Sequence, residues 1–388
     1  MATKIKILYD PEIFFLQKYG GVSRYFFELL SNFNKDSDIE FVLPLKFSDN
    51  YFLRNAAFIK SKNLMRPTKR KSKGRIIKLG LRFVNIIASK VQNYQLNQNK
   101  IEFQEVFKKY NFAILHPTYY STNVLYYLGN EPLVITVYDM IYELFPELFL
   151  NDPYPDYKKE LIKRADKIIA ISNSTKQDLI KIYSVHEDKI EVIHLGCSFQ
   201  NRKLELRQND LLPEKYVLFV GARKSYKNFI PFIKSMVSLL KKFKNLKIIC
   251  AGSKPFNNSE KELFRNLNIS DRLIHFPASD DFLLELYKKA ILFVFPSLYE
   301  GFGIPILEAF SAGCPVACSN TSSLPEVAGD AAIFFNPFDE ESISSSIDNL
   351  ISNQSLRNQM SIRGYERLKA FSWEKTAYRT KKLYLSLV

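Results

Sequence analysis

The sequence predicts an α/β protein made of two doubly wound halves in succession. Three observations carry this. Apolar runs of strand length recur along the 388 residues, helical periodicities lie between them, and the alternation breaks near residue 200 before it restarts. A chain of this length exceeds the usual single core, so two domains are expected, and 46% apolar residues suffice to fill both.

In the first half, Ile5, Ile7 and Leu8 form a short strand, and a loop leads to Gly20-Gly21. Val22, Phe26, Leu29, Leu30 and Phe33 follow at helical spacing, giving a helix with one face on a sheet. A glycine pair between strand and helix either brings backbone close to a ligand phosphate or makes a plain tight turn. Phe41-Val42-Leu43 is the second strand, and further strands are expected at Phe112 to His116, Leu133 to Val137, Lys167 to Ile171 and Ile190 to His194. His116 and the pair Tyr138-Asp139 fall just at or beyond strand ends, where such sheets place their ligands; a lone loop Asp is also a common turn residue.

The net charge of +15 is concentrated. No Asp or Glu occurs between Asn50 and Ile101, while thirteen Lys and Arg from Arg54 to Lys100 fall there. Ile76, Ile77, Leu79, Leu81, Phe83, Val84, Ile86 and Ile87 mingle with Lys78 and Arg82, the pattern of a basic amphipathic helix on an anionic membrane or of a domain helix with a solvated basic face. With the charge gathered in one insert and no interleaved stacking motif, nucleic acid is not an expected partner. No apolar run is long enough to span a bilayer, and Met1 to Lys4 lead straight into strand-like sequence, so the protein is expected in the cytoplasm or peripheral on the cytoplasmic membrane face. Cys197, Cys250, Cys314 and Cys318 suit reduced core thiols, and the scattered histidines give no zinc spacing.

From Ser198 to Asn209 the chain turns polar, the expected linker. Tyr216 to Val220 opens the second half, followed by a helix over Phe229 to Lys241, a strand over Lys247 to Ala251, a helix around Lys261, a strand over Leu273 to His275 and a helix around Leu284. After the first of these strands, Gly221 precedes Arg223 and Lys227, a pair suited to a diphosphate or to a solvated basic loop.

The stretch Ser297 to Gly313 follows the apolar run Ile291 to Phe295 and precedes Pro315 to Ala317, so it is the turn and helix of a βαβ unit. Pro305 fits a first helical turn and Gly313 a C-terminal stop. Gly301 and Gly303 bare the backbone where the helix dipole favours an anion, yet Glu300 and Glu308 stand in the same stretch. Two carboxylates beside an anion site make chemical sense if they accept hydrogen bonds from hydroxyls next to a phosphate, as in a sugar nucleotide. Ser322 to Val327 is a short helix, Ala331 to Phe334 the last strand, and helices over Ile343 to Ile351, Leu356 to Leu368 and the amphipathic Trp373 to Leu387 follow.

The combination of G-G-V-S-R at Gly20, G-A-R-x-x-x-K-N at Gly221 and E-G-F-G-I-P-x-L-E at Glu300 resembles the family 4 glycosyltransferases, which have the two-Rossmann-domain GT-B fold. The likeness is colinear through S-N-S-T at Ser172 and L-P-E-V-A-G-D-A-A at Leu324, and leaves out the basic insert of about 50–100. It implies two Rossmann-like domains facing across a cleft: 1–197 on the acceptor side, 198–370 binding the nucleotide sugar, and 371–388 as a helix packing back on the N-terminal domain. It further implies a retaining, metal-independent transfer of a hexosyl group from a nucleoside-diphosphate sugar to a glycan or lipid-linked acceptor, as in surface polysaccharide synthesis.

By that likeness the donor-binding residues are Gly20, Gly21, Gly221, Arg223, Lys227, Glu300, Gly301, Phe302, Gly303, Ile304 and Glu308. Glu308 would bond the ribose and Glu300 the sugar, while Arg223 and Lys227 would hold the diphosphate. Glu300, Arg223, Lys227 and Asp139 form the expected catalytic set, with Tyr138 and His116 on the acceptor side. Many members carry His where this chain has Tyr138. Asp36-Ser37-Asp38 matches an acid-x-acid metal pattern, but it lies in a polar loop before a strand, and no metal or other cofactor is expected. The rival readings are an epimerase or hydrolase of the same fold, a transferase-like subunit without turnover, and a basic membrane- or nucleic-acid-binding protein.

Overall fold

The computed structural model describes residues 4–56, 58–59, 78–199, 212–223, 225–252, 254–277 and 279–388. The first half carries β1 (Ile5–Leu8), β2 (Ile39–Val42), β3 (Ile114–Leu115), β4 (Val134–Val137), β5 (Lys167–Ala170) and β6 (Ile190–Val192). They form two parallel ladders, β2-β1-β3 and β4-β5-β6, joined by a single parallel bridge between Leu115 and Leu133. With β2 on one side of β1 and β3 on the other, the chain reverses its direction of travel across the sheet at β1. Such a reversal opens a crevice at the carboxyl ends of the strands.

The second half carries β7 (Tyr216–Val220), β8 (Lys247–Ala251), β9 (Leu273–Phe276), β10 (Leu292–Phe295), β11 (Val316–Ser319) and β12 (Ala332–Phe335). They make one parallel sheet in the order β12-β11-β10-β7-β8-β9, so its reversal falls between β7 and β10. All four residues of β10 are buried, which is why its sequence is continuously apolar instead of alternating. The helix Phe229–Lys242 buries Phe229, Phe232, Ile233, Met236, Leu239 and Leu240 at helical spacing. Phe229 and Phe232 pack on Phe219 of β7 at 5.1 and 5.9 Å between ring centroids. Each such side chain contributes about 1.5–3 kcal/mol of apolar burial. The four cysteines are buried and none is in a disulfide.

The helix Trp373–Leu385 lies on the N-terminal domain. The Tyr384 hydroxyl is 2.7 Å from that of Tyr9, Thr376 donates to the carbonyl of His194 at 2.7 Å, and Trp373 Nε1 donates to Ser198 at 2.9 Å. Lys381 Nζ reaches both Asp36 and Asp38, at 2.8 and 2.6 Å, so the acid-x-acid pair docks this helix. The helix Lys78–Lys109 closes another side of the domain. Its Asn99 side chain accepts from the backbone of Lys46 and Phe47, and Phe107 packs on Phe112 at 4.9 Å. The basic stretch 54–90 that was expected to meet a membrane lies outside the described residues at 57 and 60–77, and its side chains do so through 90. Most of the expected linker also lies outside them. No helix among the described residues is long and apolar enough to cross a membrane.

Candidate active site

The loops after β7 and β10 leave the C-terminal sheet at its reversal point, where an α/β sheet binds ligands. Lys227 comes from the first loop and Glu300 from the second. Their Nζ and Oε1 are 2.5 Å apart, with side chains 17% and 11% exposed, so the pair is partly shielded from water yet reachable. Ser322 and Ser323 shape the β10 loop. Ser322 Oγ accepts from the Glu300 N–H at 3.0 Å, while Ser323 Oγ reaches the carbonyls of Glu300 and Phe302 at 2.8 and 2.7 Å. Sequence reasoning gave these serines no role, since their partners lie more than twenty residues upstream.

Two glycines here are required by geometry. Gly303, at φ +116°, stands in the left-handed region immediately before the helix Ile304–Ser311. Gly301 is pressed against the other domain: a Cβ on it would lie 1.7 Å from the Tyr138 carbonyl oxygen and 2.9 Å from Asp139 Cβ. Thr175 Oγ1 donates to the Gly301 carbonyl at 3.4 Å, and the Tyr299 hydroxyl donates to Asp178 at 2.7 Å. The β10 loop thus bears directly on the N-terminal domain. Gly21 and Gly221 differ: a Cβ on either would meet nothing within 4 Å among the described residues, whereas one on Gly20 would meet the Gln17 side chain at 2.2 Å.

Glu308 is buried on the helix beyond the loop, and its Oε2 accepts from the Tyr287 hydroxyl at 3.3 Å. Its Oε1 is 3.5 Å from Nη1 of Arg24, a residue of the opposite domain that also donates from Nη2 to Asp280 at 2.7 Å. Burial first, and then the Glu308 and Asp281 charges, push Asp280 up to about 7. Glu326 makes a second crossing. It accepts from His194 Nε2 at 2.6 Å and from the Asn173 N–H at 2.9 Å, at the start of the helix Asn173–Tyr183. Neither Arg24 nor Glu326 was singled out from sequence, although both lie inside the quoted motifs.

Several expected residues stand elsewhere. Arg223 is not paired with Glu300: its Nε donates to Glu260 at 2.6 Å and its Nη2 to the carbonyls of Lys254 and Pro255 at 3.0 and 2.9 Å. Glu260 also closes the capping box of the helix Asn258–Asn266, which anchors the guanidinium to that helix start. Asp139 lies beside Gly301 but serves as a turn residue, accepting from the Ile141 N–H at 3.0 Å. Its carboxyl is raised, chiefly by burial. The Tyr138 hydroxyl donates to the Thr118 carbonyl at 3.2 Å, and it is the Tyr138 backbone carbonyl that meets the β10 loop. Phe302 is buried, with its ring centroid 5.9 Å from that of His194.

His116 is the clearest correction, because the structure makes it a core residue and not an acceptor ligand. It is fully buried, with Nδ1 2.5 Å from the Tyr384 hydroxyl and Nε2 2.9 Å from Thr136 Oγ1. Burial lowers its pKa from 6.5 to about 3. With the folded value lower, the unfolded chain takes the proton first, so the stability tied to His116 is complete above about pH 6.5 and is lost towards pH 3. Between pH 7 and pH 5 urea unfolding should show a loss about 2 kcal/mol larger in the wild type than in His116→Asn. Equal losses would mean that the imidazole titrates normally.

Two doubly wound domains meeting across reversal points at their strand ends define the GT-B class of glycosyltransferases. Residues 19–201 match the family model described as Glycosyltransferase Family 4, and residues 202–367 that described as Glycosyl transferases group 1. The O-antigen chain mannosyltransferase B of Escherichia coli is 30% identical over 291 residues, covering 71% of this chain and 75% of that protein. The chain belongs to glycosyltransferase family 4. Sucrose-phosphate synthase from Thermosynechococcus elongatus superposes with a TM-score of 0.72 at 19% identity over 99% of both chains. Anabaena HepE, solved in complex with UDP and glucose, superposes with a TM-score of 0.70 at 16% identity over 99% of this chain and 100% of that one. At these identities the likeness is one of fold.

Proposed function

We propose that this glycosyltransferase transfers a hexosyl group, with retention at the anomeric carbon and without a metal ion, from a nucleoside-diphosphate sugar to a hydroxyl of a surface-polysaccharide acceptor. The observation that carries the reading is the Lys227–Glu300 pair at the reversal point of the C-terminal sheet, with Glu308 on the helix that follows. A bound diphosphate would take the Lys227 ammonium from Glu300, leaving that carboxylate to accept from the sugar hydroxyls. Lys227 and the glycine turns at Gly21 and Gly303 would then stabilise the leaving diphosphate. Arg223 would join them by giving up Glu260. With Glu300 engaged by the sugar hydroxyls, transfer occurs on the leaving-group face, with a donor phosphate oxygen accepting the proton of the incoming hydroxyl.

On the acceptor side, a cavity lined by Asp10, Glu12, Phe15, Asn99, Phe103 and Tyr127 offers carboxylates and an amide beside aromatic faces. That mixture suits a polyhydroxylated acceptor. The O-antigen relative supports surface polysaccharide as the product and puts mannose first among sugars to test.

A thermal-shift screen of UDP, GDP and ADP and their sugars should give a selective shift, followed by transfer to an added glycan or lipid-linked acceptor in the presence of EDTA. Release of free or epimerised sugar alone would overturn the transferase reading, and loss of transfer in EDTA would overturn metal independence. Glu308→Ala should weaken nucleoside-diphosphate affinity about tenfold or more by removing a charge-assisted hydrogen bond. Unchanged affinity in calorimetry would remove Glu308 from the donor site.

A further inference from the structure

We propose that Glu12 selects the acceptor, its carboxyl bonding one hydroxyl of the acceptor's terminal sugar in the cavity at the crevice of the N-terminal sheet. The inference rests on the reading of that cavity as the acceptor site, and it names the residue that gives the site its selectivity.

Glu12 begins the helix Glu12–Leu16, just beyond β1. The cavity it lines is walled by Phe15 of the same helix, by Lys100 and Phe103 of the helix Lys78–Lys109, and by Val124 of the turn Thr122–Tyr126 after β3. About 570 Å³ of space, its open mouth included, lies between them, the size of a small-molecule site. Most polar groups on the wall already have partners. Asp10 Oδ1 accepts from the Thr118 N–H and hydroxyl at 2.6 and 2.8 Å, Asn99 holds the backbone of Lys46 and Phe47, and Gln104 donates to the Tyr127 hydroxyl at 2.5 Å. Glu12 is the exception: its Oε2 is buried without a hydrogen-bond partner among the described residues. An unsatisfied buried carboxyl oxygen lowers stability, and a ligand hydroxyl that bonds it removes the penalty.

Charge decides what kind of group fits. Burial first, and then the Asp10 charge, push Glu12 up to about 8, with Lys100 opposing them. Near neutral pH the carboxyl therefore holds a proton that it can give to a ligand oxygen. Lys100, on the same wall, is a second donor and repels an ammonium group, while Asp10 repels a phosphate. A neutral sugar hydroxyl meets neither objection, and the apolar edge of a pyranose ring suits Phe15, Phe103 and Val124. Thr118 ties the cavity to the donor side: it holds Asp10, and its carbonyl accepts from the Tyr138 hydroxyl at 3.2 Å, next to the Tyr138 carbonyl that meets Gly301. The alternative is that Glu12 only complements the first turn of its helix.

Transfer assays separate these roles, with octyl glycosides of mannose, glucose, galactose and N-acetylglucosamine as acceptors, followed by the monodeoxy forms of the best of them. In the wild type one monodeoxy form should have a KM about tenfold above that of its parent. Glu12→Leu should raise the parent's KM about tenfold, distinguish that deoxy form from the parent by less than about twofold, and keep the donor affinity measured by calorimetry. It should also melt about 2–4 °C above the wild type, because an unsatisfied carboxyl has been removed. A residue that only complements its helix would lose stability and leave the discrimination intact. Glu12→Gln, whose amide still donates, should keep the preference for the parent. Full discrimination in Glu12→Leu, or a wild type that distinguishes no deoxy form, overturns this inference; a raised KM in Lys100→Ala then leaves the acceptor reading standing. Wild-type KM in both Glu12→Leu and Lys100→Ala, or transfer to none of the glycosides, overturns the acceptor reading as well.

Discussion

Lys227→Ala should lower sugar transfer by about two to three orders of magnitude, the loss expected when one preorganised donor to a developing negative charge is removed. The change is local. Glu300 keeps its loop position through the bonds of Ser322 and Ser323 to its backbone, so the site loses an ammonium without losing its frame. The shielding of the pair makes the charge count for more than it would in water, since each partner is less than one-fifth exposed. Steady-state turnover with the donor found by thermal shift, alongside circular dichroism to confirm folding, is the test. Near-normal turnover would remove Lys227 from the reaction.

Gly301→Ala should cost about a hundredfold in turnover, by displacement and not by loss of a chemical group. The added methyl carbon would stand 1.7 Å from a backbone carbonyl oxygen, and a backbone carbonyl cannot rotate aside as a side chain can. The β10 loop and the Tyr138-Asp139 turn must separate by more than an ångström, carrying Glu300 away from the N-terminal domain. Misplacement on that scale costs on the order of 10²-fold in a positioned reaction. Circular dichroism and a thermal melt of Gly301→Ala are the control for folding. Turnover of Gly301→Ala close to wild type would show that the domains need not meet here for transfer.

The two-sheet architecture was legible because parallel strands buried on both faces, such as Tyr216–Val220 and Leu292–Phe295, stand out as unbroken apolar runs. β3 was harder: the expected run Phe112 to His116 contributes only Ile114–Leu115 to the ladder. The elements that carry Lys227, Glu300 and Glu308 were legible since glycine turns and a proline-started helix mark them. Partners were not legible. Arg223 has the same local surroundings whether it faces a phosphate or Glu260, and Glu260 lies 37 positions away. His116 looked like a site residue because it sits at a strand end. Tyr384, which makes it a core residue, lies 268 positions further on. Arg24 depends on Asp280 across a separation of 256 positions. Sequence patterns report the backbone and the burial of each element, whereas charged side chains are assigned by partners distant in sequence.

The return of the helix Trp373–Leu385 to the N-terminal domain has a consequence for synthesis on the ribosome. Tyr9 and His116 lie in a seam that stays unfilled until Tyr384 has been made, 375 positions after Tyr9. At roughly 5–20 residues per second, the nascent N-terminal domain waits about ten to forty seconds between Phe199 and Tyr384 with that seam open. Throughout that interval the face of the helix Gly21–Phe33 that Trp373–Leu385 later covers stays exposed.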